Sequence, residues 1–354
     1  MAITKLKLEN FTVFHDLDLE FSQGINVFIG ENGTGKTHVM KVLYSACKAA
    51  QKEKTAMDFA TKIVRVFRPD GLSFFRLAKR GSEGHEVHVI VQSDHSELSL
   101  TFAPPKETPH ITGMEKWEKE FSPLTSTYIP AKEILSNAKN LIHAMINPSN
   151  ELEFDDTYLD IIAAASVGLG KGLESDERDR YLRILQEIAQ GHVKIENEKF
   201  YLMSAEMEKL EFHLVAEGLR KIALLWQLIK NGTLKSGSFL FWDEPEANLN
   251  PKHIPALVDI LYHLQQSGIQ IFLATHDYVL AKYLEIRRPA QGAARFHSLY
   301  KVEKKKPGTT DGQQRTNTVI ERESGDTFKE LKHNDIADAR IKLSDEVFSE
   351  KRRG

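Results

Sequence analysis

The stretch Gly30-Glu31-Asn32-Gly33-Thr34-Gly35-Lys36-Thr37 constrains the fold of this chain more than any other part of its sequence. It fits G-x-x-x-x-G-K-[ST], a loop whose backbone N–H groups cradle phosphate oxygens, whose lysine reaches the outer phosphates and whose hydroxyl holds Mg2+. The apolar run Ile25 to Ile29 leads into it as a strand, and Val39, Met40, Leu43, Tyr44 and Cys47 follow it at helical spacing. A glycine-rich turn that merely precedes a helix would need neither flank. Gly30, Gly33 and Gly35 let the backbone approach an anion without a Cβ in the way. Glu31, Asn32, Thr34, Lys36, Thr37 and the following His38 complete the candidate nucleotide contacts, with Lys36 neutralising phosphate charge and Thr37 a ligand of the metal. The expected ligands are ATP and Mg2+.

A second motif supplies the acids such a loop needs. Phe239-Leu240-Phe241-Trp242 reads as a strand buried on both faces, ending in Asp243-Glu244. Strand ends in α/β sheets open into the ligand crevice, so Asp243 is placed to hold Mg2+ and Glu244 to orient or deprotonate an attacking water. A solvated turn before Pro245 would also fit the two acids taken alone; their pairing with the phosphate loop favours chemistry. A further strand, Ile269 to Ala274, runs into Thr275-His276-Asp277. A lone histidine is usually structural or solvated; the place of His276 one strand after the acidic end makes it a candidate catalytic residue.

Around these motifs the pattern is α/β. Period-two alternation marks strands at 3–9 and 16–22, and strand-like pieces FFRLAKRG, EVHVIVQS and ELSLTFA mark an N-terminal antiparallel sheet. From 213 onward, helices at 217–231, 252–266 and 277–286 alternate with apolar strands, which implies a mostly parallel sheet covered by helices. Three regions are expected: an N-terminal lobe at 1–130, a helical insert at 131–212 and a C-terminal lobe at 213–354. A strand at 295–302, a short strand near 317–321 and a helix from Thr327 close the chain. No internal repeat or sustained heptad is visible.

Composition narrows the setting. The 354 residues are 41% hydrophobic and 27% charged, as expected for a globular chain rather than a disordered one. A net charge of −3 supplies no overall basic field for DNA or an anionic membrane, so nucleic-acid contact would need a local patch. Lys304 to Lys306 and Lys351 to Arg353 are the candidates, although such runs are usually solvated. The single cysteine, Cys47, excludes an internal disulfide framework and reads as a small buried helix residue. No apolar run reaches membrane-spanning length and the charged N-terminus is unlike a secretory signal, so a cytoplasmic location is expected.

The run Asp243-Glu244-Pro245-Glu246-Ala247-Asn248-Leu249-Asn250-Pro251 resembles the Walker B motif and D-loop of ABC-type ATPases, in the form found in the RecF, SMC and OLD branch. The opening LKLENFTVFHDLDLEFSQGINVFIGENGTGKT is similar to that branch too. The resemblance covers both ends of an ATPase head and skips its middle. It implies the ABC-head form of the P-loop fold, with His276 as the switch histidine. It also implies that Val215-Ala216-Glu217-Gly218-Leu219-Arg220-Lys221 is the signature segment that closes over ATP held by a second copy, Gly218 contacting the nucleotide. The family's usual serine is replaced by Ala216. Arg220 or Lys221 could add charge there, and Tyr128-Ile129-Pro130-Ala131-Lys132-Glu133 is the guess for the family's glutamine loop.

Taken together, the resemblance implies ATP hydrolysis by a head-to-head dimer or larger homo-oligomer. SMC relatives carry long coiled coils and OLD relatives a Toprim nuclease domain, whereas this chain offers a short insert and about 65 residues after the histidine strand. Compact heads of this kind resemble the ATPase subunits of anti-phage systems such as Septu and PARIS, which act with a separately encoded effector, often a nuclease. A RecF-like DNA repair ATPase is the alternative; a transporter subunit fits the motifs less well.

Overall fold

Strand burial sorts the strands into sheets. Along β1 (Ile3–Phe11), Leu6 and Leu8 are buried while Lys5, Lys7 and Glu9 are partly open, the mark of a sheet with one covered face. In contrast β3 (Ile25–Ile29) is buried at every position and needs helices or another sheet on both sides. The structure, a computed structural model, describes residues 1–51, 57–82, 84–104, 108–146, 154–168, 176–204, 206, 208–290, 292–305 and 316–351.

After β1 come β2 (Phe14–Glu20) and β3, then α1 (Lys36–Ala49) and α2 (Phe59–Phe67). The N-terminal part continues with β4 (Val87–Ser93), β5 (Glu97–Phe102), β6 (His110–Thr112), α3 (Met114–Phe121) and β7 (Ser126–Ile129). Next are α4 (Ala138–Ile146), α5 (Asp156–Ser166), α6 (Asp176–Ala189), β8 (Gly191–Glu196), β9 (Lys199–Ser204) and β10 (Lys209–Glu211). The last part holds α7 (Glu217–Lys230), β11 (Phe239–Asp243), α8 (Ile254–Gln266), β12 (Gln270–Ala274), α9 (Tyr278–Ile286), β13 (Ala294–Lys305), β14 (Thr316–Gly325) and α10 (Asp335–Lys351).

The central sheet has the order β14-β13-β3-β12-β11-β7, parallel from β13 to β7 with β14 antiparallel at one edge. A second, antiparallel sheet runs β2-β1-β4-β5-β6. The α/β fold with a mostly parallel sheet and an N-terminal antiparallel sheet is therefore as expected. Alternate residues of the central strands feed two cores. Phe239, Phe241, Phe272 and Phe28 face α1 and the antiparallel sheet, while Leu240, Trp242, Ile271 and Val27 join the core that includes α7 and α8. On the first face Phe272 stacks on Phe241 at 5.0 Å and on Phe28 at 6.4 Å, and Tyr128 continues the row against Phe241. This aromatic row fixes the spacing of the four strands that carry the site.

The structure departs from the sequence reading in three places and adds one helix that the reading left unassigned. FFRLAKRG is not a strand: Phe74–Leu77 is a 3₁₀ turn that buries Phe74 and Leu77, three residues apart, on one side. Phe59–Phe67 is a helix, capped by Asp58, whose side chain accepts from the Thr61 N–H. Ser126–Ile129, expected to be part of a lobe boundary, is a buried edge strand of the central sheet. Residues 131–212 hold helices α4 to α6 but also an antiparallel sheet, β8 to β10, inside the stretch expected to be helical. Its hairpin turns on Asn197 and Glu198, both in the left-handed region.

Helix α5 is fastened to the phosphate-loop helix and its neighbour by ion pairs. Lys62 on α2, 4% exposed, lies 2.8 Å from Asp156 and 2.7 Å from Asp160. Lys41 on α1 reaches Asp155 at 2.6 Å, Arg65 reaches Asp156 at 3.0 Å, and the Tyr44 hydroxyl donates to Asp160 at 2.6 Å. Cys47 is a free, buried thiol on α1, as read. Lys304 is paired with Glu321 at 2.5 Å, while Lys306, Arg352, Arg353 and the side chain of Lys351 lie outside the described residues. Among the described residues no helix is long and apolar enough to cross a membrane.

Candidate functional site

Register brings the motifs to one sheet edge. Asp243 on β11 is aligned with Ala274 on β12, and Ala274 with Phe28 on β3, so the chain leaves these three adjacent strands at the same end. Gly30, Thr275 and Glu244 are thereby neighbours, in the crevice outside the carboxyl ends of a parallel sheet.

The loop itself is shaped by close contacts. A Cβ at Gly30, where φ is +138°, would lie 2.0 Å from the Leu299 carbonyl oxygen, and one at Gly35 would lie 2.3 Å from the Phe14 ring. Both positions need glycine for space as well as conformation. Thr34 is buried and its hydroxyl donates to the Glu31 carbonyl at 2.9 Å. Lys36 folds back over the loop, its ammonium donating to the carbonyls of Gly30 at 2.6 Å and Glu31 at 2.9 Å. Burial lowers its pKa, against the pull of Asp243 and Glu244, which favours the cation. A phosphate would meet a cation already positioned and partly stripped of water.

Thr37 donates to Asp243 Oδ2 at 2.8 Å, and the buried Tyr128 phenol approaches the same oxygen at 3.4 Å. Burial chiefly raises the Asp243 pKa, and the Thr37 hydrogen bond and the charges of Lys36 and Lys41 offset this only in part. A hydroxyl and one carboxylate beside a phosphate loop suit Mg2+, which keeps several waters and takes few protein ligands. Among the described residues no group of three or more His, Cys, Asp or Glu is placed to hold a metal ion without such help.

Glu244 has φ +48°, a left-handed conformation that costs a non-glycine residue energy. Its N–H donates to the Ala274 carbonyl at 2.9 Å, and its carboxylate Oε1 lies 3.2 Å from Nδ1 of His276. Both side chains remain partly open to solvent, at 32% and 51%. His38 is different in kind: burial depresses its imidazole to about 4, leaving it neutral against the Phe67 ring.

The segment Val215–Lys221 lies at the start of α7, with Gly218 packed against the D-loop of its own chain. A Cβ on Gly218 would come within 2.1 Å of the Asn248 carbonyl oxygen. The basic residues beside it are not free surface charges. Arg220 Nε lies 2.8 Å from Glu133 Oε2, and its Nη1 donates to the Phe212 carbonyl at 2.9 Å. Lys221 is 1% exposed and donates to the Glu244 carbonyl at 3.3 Å. Their side chains thus tie α7 to the stretch after β7 and to the acidic strand end. Leu214, just ahead of α7, is 73% exposed.

Three features of the site lie outside the motifs. Lys301 on β13 donates to Glu31 Oε2 at 3.2 Å and to the Asn32 carbonyl at 2.9 Å. A cleft of about 630 Å³ beside Gly33 and His38 is lined by Thr12, Val13, Arg76, Lys79, Arg80 and Lys301. On the other side Gly30, Glu31, His276 and Tyr278 share a cleft of about 370 Å³ with Asp335, Ile336 and Leu343 of α10. Lys301, Arg76, Lys79, Arg80 and the α10 residues carry no sequence pattern, because sheet pairing and loop packing bring them beside the motifs.

A protein-family model described as "AAA domain, putative AbiEii toxin, Type IV TA system" matches residues 25–282. The chain belongs to this AAA-domain family. The AAA-domain chain is also similar to curated proteins named DNA replication and repair protein RecF. That of Clostridium tetani is 23% identical over 250 residues, covering 65% of this chain and 68% of the relative. That of Bacillus cytotoxicus is 24% identical over 214 residues, covering 53% and 55%. A Clostridium botulinum RecF is 40% identical over 113 residues, covering 29% and 31%. The match thus spans from about a third to about two thirds of these relatives.

Two solved structures share the fold of the AAA-domain chain. An SMC head bound to the C-terminal winged-helix domain of ScpA superimposes with a TM-score of 0.56 at 13% identity, covering 92% of this chain and 98% of that one. The Pyrococcus furiosus SMC head with an extended coiled coil, bound to the C-terminal domain of ScpA, gives 0.53 at 12% identity, covering 98% and 99%. With the RecF similarity, the fold and the family place the chain among ABC-type ATPases of the RecF/SMC branch.

Proposed function

We propose that this chain hydrolyses ATP with Mg2+ at the shared edge of β3, β12 and β11, and that hydrolysis opens a pair of heads which ATP holds closed. The observation that carries the reading is the convergence of Thr37 on Asp243 at 2.8 Å with the Glu244–His276 pair at 3.2 Å on the adjoining strand ends. In this reading Thr37 and Asp243 hold the metal, which, when bound, neutralises charge on the phosphate oxygens. Lys36 shifts from its own loop carbonyls to the outer phosphates. The N–H groups of the Gly30–Thr37 loop cradle the phosphate chain, and the basic cleft beside Gly33 and His38 takes the nucleoside. Glu244 orients the attacking water and accepts its proton, with His276 beside it to hold the carboxylate and contact the terminal phosphate.

A second copy supplies the remaining wall. Leu214 and Ala216, exposed just ahead of α7, face outward for that contact, and residues 1–130 and 213–354 act as the lobes of one head with 131–212 as its insert. The downstream task in this reading is that of a cytoplasmic sensor or scaffold that restrains a separately encoded effector, such as a nuclease, in phage defence. The toxin–antitoxin wording of the family description supports a partnered system. A second reading, DNA repair, is favoured by the RecF relatives, whose name gives replication and repair as their work.

Glu244→Gln tests the core of the proposal. Turnover should fall by about 100-fold or more while ATP binding persists, and ATP should accumulate a dimer in light scattering. Undiminished turnover would remove Glu244 from its assigned role. Co-purification of the native complex separates the two downstream readings: an effector protein supports the first, and salt-sensitive DNA binding without one supports the second.

A further inference from the structure

The acidic strand end continues past its two assigned carboxylates to a third. Glu246, in the loop after β11, turns back toward β12, and its Oε1 accepts a hydrogen bond from the Thr275 hydroxyl at 2.6 Å. Thr275 is fully buried and immediately precedes His276. Its hydroxyl oxygen also accepts the Asp277 N–H at 2.9 Å, while the Asp277 carboxylate caps α9 by accepting from the Leu280 N–H at 2.6 Å. One hydroxyl therefore fastens the residues on both sides of His276: it is bonded to the D-loop in one direction and to the first turn of α9 in the other. The other Glu246 oxygen, Oε2, is buried without a hydrogen-bond partner. A buried acid with one idle oxygen costs stability, so its presence is not explained by folding alone.

We infer that Glu246 is a positioning residue: by holding Thr275 through this hydrogen bond, it keeps His276 against Glu244. The inference rests on the ATPase reading above and adds to it a residue that does not touch nucleotide. The geometry that must be kept is the 3.2 Å contact between His276 Nδ1 and Glu244 Oε1, between side chains that are both partly exposed and would otherwise sample other rotamers. The Thr275 N–H still donates to the Phe28 carbonyl of β3 at 3.0 Å, the last rung of the ladder there, so beyond it the bonds of the Thr275 hydroxyl to Glu246 and Asp277 set the direction in which His276 leaves the sheet. The D-loop and the histidine strand then move as one body.

The experiment compares Glu246→Ala, Thr275→Val and the double variant with wild type by steady-state ATP turnover, by affinity for a fluorescent ATP analogue and by thermal unfolding. Each single variant should lose about tenfold in kcat, with KM and analogue affinity within about twofold of wild type. The double variant should be no slower than the worse single one, because both break the same link. Glu246→Gln keeps an oxygen for Thr275 and should retain more than half of the wild-type kcat. Wild-type kcat in Glu246→Ala, multiplicative losses in the double variant, or parallel losses of kcat and analogue affinity would each overturn the inference while leaving the ATPase reading intact. A wild-type protein that does not hydrolyse ATP would overturn both.

Discussion

Thr37 donates its hydroxyl to Asp243 at 2.8 Å across 206 residues of sequence, and this bond joins the start of the phosphate-loop helix directly to the acidic strand end. Its acceptor is buried, and desolvation is the chief reason that the Asp243 pKa is raised. The same carboxylate that is placed for the metal is therefore an unfavourable charge in the nucleotide-free fold. Asp243→Asn should raise the thermal midpoint of the nucleotide-free protein at neutral pH and abolish the further rise given by Mg2+ and ATP. Turnover should fall by about 100-fold or more. Differential scanning fluorimetry with and without Mg2+-ATP reads both effects, and a lower nucleotide-free midpoint would contradict the assignment of strain to this carboxylate.

Gly218 is required by packing inside its own chain. The start of α7 lies so close to the D-loop that a Cβ would meet the Asn248 carbonyl at 2.1 Å and the Leu249 Cα at 3.0 Å, both backbone atoms without room to swing aside. Gly218→Ala should cost about 1–3 kcal/mol in denaturant unfolding, the usual penalty for forcing an added carbon into a packed interior. A neutral result would mean that α7 and the D-loop separate easily.

The sequence exposed the site residues more clearly than their supports. Gly30 to Thr37, Asp243-Glu244 and His276 stand out because phosphate and water chemistry need those residue types at strand ends, and the strands are uniformly apolar. The β8–β9 hairpin was hidden because its two-residue turn is Asn197-Glu198, with no glycine to mark the left-handed pair. Phe74 to Leu77 imitated a strand, since four residues cannot distinguish alternation from a 3₁₀ turn that buries positions three apart. Lys301 and Tyr128 reach the site through sheet pairing, which brings together residues with no common sequence spacing. Lys221 was legible only as a charge in the signature segment, and the covering of its helix face by the acidic strand end was not.

Lys62 gives the corresponding test for the join between α5 and the phosphate-loop side of the molecule. It is 4% exposed and bridges Asp156 and Asp160 at 2.8 and 2.7 Å. Removing one member of a buried ion cluster leaves its partners uncompensated, which costs about 3–5 kcal/mol where no other donor exists. Arg65 and Tyr44 still serve these aspartates, so Lys62→Met should sit at the lower end, about 3 kcal/mol, in urea unfolding. Hydrogen exchange should speed up in α5 first, because α1 and α2 keep their own core contacts. Unchanged protection of α5 would show that its apolar contacts suffice.

Glu246 gives stability a pH dependence of predictable sign. Burial lifts its carboxyl from the ordinary 4.5 to about 7, with Asp277 adding to the rise and the Thr275 hydrogen bond and His276 opposing it. A group whose pKa is higher in the folded state binds more protons there than in the unfolded chain, so its contribution is greatest below about 4.5 and is lost as pH climbs to about 7. The amount lost over that window is on the order of 3 kcal/mol. Other groups titrate in the same range, so the informative quantity is the difference between wild type and Glu246→Gln, which has no proton to lose. Relative to wild type, Glu246→Gln should gain stability steadily from pH 5 to pH 7.5 and then level off. A difference that stayed flat across this range would show that the Glu246 carboxylate is already ionised at pH 5, with water or a nearby cation serving its second oxygen.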